Sequence, residues 1–179
     1  MFAKVENNQV VAANSSKDFF KGSTGIYEVI YNTANLKDTE FYYNGAETFT
    51  FANDQVTASY APATAKALED RNEVDKEGQP LLDQDGKQLV TKGLKSNHVS
   101  KIKSQAAGLL QSTDWYIIRN AESQAAIPAN VSTYRTAVRT KSNDMEALIN
   151  AVSSVEQLAA LYVYDKDTKS RPLGEFPRL

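Results

Sequence analysis

Few residues in this chain have the types and spacing that covalent or metal chemistry needs. One histidine, His98, and no cysteine occur among its 179 residues. Without a thiolate, a metal site would have to combine His98 with carboxylates, and no HExxH or histidine pair is present. Asp83-Gln84-Asp85-Gly86 has the opening of a calcium loop. It lacks the bidentate glutamate at the required distance, so it reads as a plain turn. A serine nucleophile would need His98 as its base, and nothing near His98 suggests a triad. Paired carboxylates such as Glu69-Asp70 stand in a charged stretch where solvent keeps both ionised. No Walker, GxGxxG or GxSxG pattern occurs. No catalytic residue, metal or cofactor is therefore assigned, and the chain reads as a binding protein and not as an enzyme.

Cations and aromatics are the remaining chemistry. Between Lys95 and Lys141, the residues Lys95, Lys101, Lys103, Arg119, Arg135, Arg139 and Lys141 face only Asp114 and Glu122, while the preceding segment is acidic. A surface split by sign can steer a partner. A nucleic-acid binder would use these cations with Trp115, Tyr116 and Tyr134 as stacking platforms. The net charge of -2 argues against it, and Trp115 and Tyr134 fall on apolar stripes that predict burial.

The elements that position these residues are legible in outline. Phe2 to Val11 alternates around Glu6-Asn7-Asn8-Gln9, which predicts an N-terminal hairpin because asparagine tolerates the left-handed region. Residues 26–31 have strand character throughout. Phe41-Tyr42-Tyr43 and Thr48-Phe49-Thr50-Phe51 flank Asn44-Gly45, a hairpin signal, and Val56 to Tyr60 adds a strand. Residues 1–61 thus predict a small, mostly antiparallel β module. About half of its aromatic residues must face away from one core, because strand side chains alternate.

Residues 62–93 read as a charged linker with room for a short helix over 63–74 and a hairpin at Asp85-Gly86. No internal repeat stands out. From Leu94 the apolar period becomes helical, and residues 94–163 predict three to four helices. His98 falls on the polar side of the first. Ser112 or Thr113 caps the second, with Asp114 in its first turn. Pro128 starts the third, which is about 35 Å long if unbroken from 129 to 151. Ser153 and Glu156 have capping-box spacing for a short fourth. Residues 164–179 predict an extended tail. The fold class is α+β, with β first and α last. The mean hydropathy of -0.47 leaves little apolar surface per residue, which favours a modular shape and self-association. No apolar run is long enough for a signal peptide core or a membrane span.

The run LLQSTDWYIIRNAESQAAIPANVSTYRTAVR, Leu109 to Arg139, resembles the LLxxTDWxxxR…IPxxVxxYRxAVR pattern of bacteriophage tail-fibre assembly and tail assembly chaperone proteins. The opening FAKVENNQVV resembles the usual start of such proteins. The carrying residues are Thr113, Asp114, Trp115, Arg119, Pro128, Tyr134 and Arg135. Their chemistry predicts a helical hairpin in which Trp115 packs against Tyr134 and Val138, while Arg119 and Arg135 share a carboxylate such as Asp114 or Glu122. The resemblance implies a protein that helps tail fibres fold and trimerise, or that stays in the virion as an adaptor or decoration. Its partner would be a tail or tail-fibre protein, or another copy of itself. It would work in the host bacterial cytoplasm during infection, or on the virion tail. The partner surface predicted here is Arg119, Arg135 and Arg139 with Tyr42 and Tyr43. A capsid or tail subunit without chaperone action is the alternative, and a nucleic-acid-binding regulator is a weaker one.

Overall fold

The structure, a computed structural model, describes residues 1–179 and divides into two compact units, Met1–Ala65 and Lys66–Leu179. The fold is α+β, as the order of sequence periods predicts.

The first unit holds β1 (Phe2–Glu6), β2 (Gln9–Asn14), β3 (Ile26–Asn32), β4 (Tyr42–Tyr43), β5 (Glu47–Ala52), β6 (Gln55–Tyr60) and β7 (Thr64–Ala65). Two tight hairpins build its main sheet. Asn7 and Asn8 both take positive φ, 51° and 60°, between β1 and β2. Asn53 and Asp54 do the same at 51° and 58° between β5 and β6. Two successive left-handed residues match the twist of the flanking strands, and short Asx side chains tolerate that geometry best after glycine. The sheet runs β2-β1-β3-β6-β5, and it curls until its edge strands β2 and β5 approach each other. Ala3, Val29, Val56 and Ala58 form the inner face, with Val10, Phe49 and Phe51 packed against them. Small side chains at Ala3 and Ala58 permit that tight curvature.

The module is mostly antiparallel, as expected, with one parallel pair, β3 and β6. One expectation for this unit is corrected. Asn44-Gly45 is not a hairpin turn, because β4 pairs with β7 and not with β5. Gly45 is there for contact: a Cβ on it would lie 2.5 Å from the carbonyl oxygen of Ala61. Asn44 is held by Lys37, whose N–H it accepts and whose carbonyl it donates to.

The second unit opens with β8 (Arg71–Asn72) and β9 (Val90–Thr91), which pair antiparallel. No helix forms over 63–74. Between β8 and β9 lies a bead built from one eight-residue element used twice, Val74–Leu81 and Leu82–Leu89, contrary to the expectation of no internal repeat. In each copy an aspartate carboxylate accepts the backbone N–H groups two and four residues on. Asp75 takes those of Glu77 and Gln79 at 2.9 and 2.8 Å, and Asp83 takes those of Asp85 and Lys87 at 2.9 Å. Glycine with positive φ completes each turn, Gly78 at 81° and Gly86 at 75°. The backbone then closes a triangle. Leu81 N–H donates to the Glu73 carbonyl, Leu89 N–H to Leu81, and Glu73 N–H to Leu89, at 2.8–2.9 Å. The Gln88 side-chain amide reaches all three of those carbonyls, at 2.7 Å (Glu73), 3.1 Å (Leu81) and 3.0 Å (Leu89).

Four helices follow: α1 (Leu94–Gln111), α2 (Asp114–Ser123), α3 (Ala129–Ala151) and α4 (Val155–Ala160). No side chain caps α1. Its first N–H groups donate instead to the carbonyls of Ala67 and Leu68. Gly93 makes this approach sterically feasible, since a Cβ there would collide with the backbone of Glu69. Asp70 completes the junction, accepting from Gly93 N–H at 2.9 Å and from Lys92 Nζ at 2.8 Å. The third helix is unbroken, and Asn143-Asp144 does not interrupt it. The α4 cap is Ser154, which accepts from Gln157 N–H at 3.2 Å, one residue later than the predicted Ser153 and Glu156 pair.

The core of this unit includes Ala106, Tyr134 and Val138, with Leu109, Leu110 and Phe176 against them. Phe176 belongs to the stretch expected to be an extended tail. Leu173 in the same stretch is fully buried and donates its N–H to Leu161. The stretch therefore packs on its own unit. His98 is also corrected: it is buried, and its Nδ1 lies 2.7 Å from the Tyr162 hydroxyl. No helix is long and apolar enough to cross a membrane.

Two predictions follow from these junctions. Gln88→Glu places a carboxylate against three carbonyl oxygens, which raises its folded-state pKa above the unfolded value. The variant should be less stable than wild type by a wider margin near about pH 7 than near about pH 4, measured by urea denaturation. The Asp70 carboxyl, in contrast, is held at about 2, below its ordinary 3.8, by hydrogen bonds from Lys92, then Ser96 and the Gly93 N–H. A depressed acid stabilises the fold above its unfolded pKa, and that contribution disappears as pH falls from 3.8 through about 2. Asp70→Asn should therefore show its full deficit above that window and converge on wild type below it.

Candidate protein-binding surface

The helical turn between α1 and α2 is organised by one buried cation. Arg135 projects from α3, and only 7% of it is exposed. Its Nη1 donates to the Leu110 carbonyl at 2.8 Å and to Thr113 Oγ1 at 2.6 Å, and lies 2.8 Å from Asp114 Oδ1. Thr113, itself buried, donates its hydroxyl to the Leu110 carbonyl at 2.8 Å. One guanidinium nitrogen thus binds the last turn of α1, the linking residue and the first residue of α2. A buried cation is tolerated when paired and hydrogen-bonded, and both conditions hold at Nη1. Nε of the same side chain is buried without an acceptor, a local cost that the Nη1 contacts offset.

These contacts revise the roles read from the sequence. Arg135 is not on a partner surface, because it is interior. It does take Asp114 as its carboxylate, one of the two predicted. Thr113 makes no side-chain cap to α2, because its hydroxyl serves Arg135 and Leu110. Asp114 stands in the first turn of α2 as expected. Pro128 immediately precedes α3, and Tyr134 is buried in the helical core.

Trp115 is the largest correction. Half of it is exposed, and it does not join the Tyr134 and Val138 cluster. The whole of α2 buries no residue, and Ile117 and Ile118 are exposed on it at 39% and 57%. Trp115 and Tyr116 stack with centroids 3.9 Å apart. The Arg119 guanidinium lies 4.8 Å from the Trp115 centroid and 5.7 Å from that of Tyr116. This cation–π stack holds the two rings in place while leaving Trp115 exposed. The helix ends at Gln124, which takes the left-handed conformation at φ 57°, and Asn120 Nδ2 donates to the Ala125 carbonyl at 2.9 Å. The helix is pinned at both ends and leaves Trp115, Ile117 and Ile118 exposed along its length.

The other predicted contact residues separate. Arg139 is exposed one turn beyond Arg135, and lines a groove between α1 and α3 together with Lys103. Tyr42 and Tyr43 belong to the other unit. Tyr42 is buried at 9%, with the Lys37 ammonium 5.8 Å from its ring centroid, so it is not a contact residue. Tyr43 is 64% exposed. The exposed ring of Trp115 beside the half-buried Tyr116 also meets one need of a nucleic-acid platform, but Asp114 and Glu122 on the same helix repel phosphate.

No family model, curated protein or solved structure is found to match the chain. The resemblance of residues 109–139 to tail-fibre assembly proteins rests on the residues themselves.

The two arginines of α3 should behave oppositely. Arg135→Met removes the hydrogen bonds at the α1–α2 turn and should lower stability by about 2–4 kcal/mol, below the cost of a fully buried pair because Asp114 is half exposed. Arg139→Ala should change it by no more than about 0.5 kcal/mol. Chemical denaturation of both variants checks the pair.

Proposed function

We propose that this chain is a bacteriophage tail-associated protein that binds tail or tail-fibre proteins, as an assembly chaperone or as an adaptor retained in the virion. It works by binding and not by catalysis. The observation that carries this reading is the outward α2 helix. The residues that resemble the tail-fibre assembly pattern fall into two sets. Thr113, Asp114, Arg135 and Tyr134 hold the turn from within. Trp115 and Arg119, with Ile118 between them in sequence, stand outside on a helix that buries nothing. Aromatic and arginine side chains are the types that most often dominate protein–protein binding energy. A partner that covers Trp115 and Ile118 gains apolar burial there and meets Arg119 with its guanidinium already placed.

The first test is co-expression with the tail and tail-fibre proteins of the phage that encodes this chain. Wild type should copurify with one of them. Trp115→Ala combined with Ile118→Ser should weaken that capture by about tenfold or more, since each is an exposed anchor, while the melting temperature holds. Failure of wild type to bind any tail component would remove the reading. Quantitative mass spectrometry of purified virions then separates its two forms. Fixed multiples per particle mark an adaptor, and abundance in infected cells without incorporation marks an assembly factor.

A further inference from the structure

The second unit carries two surfaces of opposite character at opposite ends of α1. The first is the bead. Its equivalent repeat positions 74, 82 and 90 are Val74, Leu82 and Val90, which are 52%, 55% and 36% exposed. Between Glu73 and Thr91 the bead has five carboxylates against two lysines, so these apolar residues stand in an acidic field. The second surface is a groove of about 330 Å³ between α1 and α3, floored by Ala106, Ala107 and Leu110 and edged by Lys103, Arg139, Ser142 and Asn143. α1 and α3 together carry six cations against two carboxylates, Asp144 and Glu146, the latter 2.9 Å from Lys103, so this groove lies in a net basic field with Arg139 as its exposed cation.

The two surfaces complement each other in charge, and both are apolar at the centre. They do not meet within one molecule. The bead opens from β8 and β9, and Glu69 just before β8 pairs with Lys95 in the first turn of α1. The groove begins at Lys103, about 14 Å further along at 1.5 Å per residue, and no bead residue lines it. We infer that the bead of one copy docks in the α1–α3 groove of a second copy. The acidic side chains Glu77 and Asp85 face Arg139, and Leu82 enters against Ala107 and Leu110. The groove and the bead are different surfaces, so the contact is head-to-tail. Such a contact leaves one bead and one groove open in every dimer, and it continues into a ring or a filament. It involves neither Trp115 nor Ile118, so it is independent of the tail partner.

Sedimentation velocity on the full chain tests this. Wild type should form a concentration-dependent series beyond the dimer, weakened by salt because opposite fields draw the copies together. Arg139→Glu spoils only the groove, and Val74→Ser with Leu82→Ser spoils only the bead. Each variant alone should be monomeric at concentrations about tenfold above those at which wild type associates, with an unchanged circular dichroism spectrum. Mixed together, they should form a discrete 1:1 dimer and nothing larger, because the mixture has one competent bead and one competent groove per pair. A monomeric wild type, association that survives either variant, or a mixture that stays monomeric would each overturn the inference.

Discussion

The helical part of this molecule depends on a single guanidinium nitrogen. Nη1 of Arg135 reaches the last turn of α1, the hydroxyl of Thr113 and the carboxylate of Asp114, all within 2.8 Å. Two helices meeting at so short a turn leave unsatisfied carbonyls at one end and unsatisfied N–H groups at the other. A planar, permanently charged donor on a third helix answers the first need and fixes the carboxylate that complements the second. Once the turn is fixed this way, α2 has a set direction without any burial of its own. Its apolar residues are then left exposed to solvent.

Backbone-level satisfaction recurs where side-chain caps are missing. The start of α1 is capped by two carbonyls of the preceding chain, and only a glycine at position 93 lets that chain come close enough. The bead uses the same economy. Its three strands exchange one N–H···O=C bond each, and Gln88 fills the centre where three carbonyl dipoles would otherwise point together. Few apolar side chains are buried in it, so its order rests on hydrogen bonds and on the two aspartate-glycine turns.

Local patterns in the sequence were sound guides and long-range pairings were not. The asparagine turn at 7–8, the helical span from 129 to 151 and the α+β order are all readable, because each is set by neighbours within a few residues. The parallel pairing of β3 with β6 is invisible locally, and so is the choice of β7 over β5 as partner of β4, because packing such as the Gly45 approach to Ala61 decides them. At the candidate surface, periodicity misplaced two side chains in opposite directions. Arg135 reads as surface because it is charged, and Trp115 reads as core because it is large and apolar. The turn geometry reverses both. The repeat was legible in principle, as an apolar residue, aspartate, acid and glycine recurring at a spacing of eight residues, but its two copies differ at most other positions.

The pairing of Arg71 with Thr91 and of Asn72 with Val90 means that the chain enters and leaves the bead at one place. Everything from residue 73 to residue 89 is an excursion whose two ends are already neighbours. Such an excursion behaves as a cassette. Its closed triangle has no open edge to extend, so variation in it is confined to the turn residues and the outward apolar positions, or to exchange of the whole. The Asp70 and Gly93 junction that seats α1 lies outside the cassette, so the helices keep their geometry whatever the bead becomes. That separates a part whose surface can change from a part whose geometry must hold.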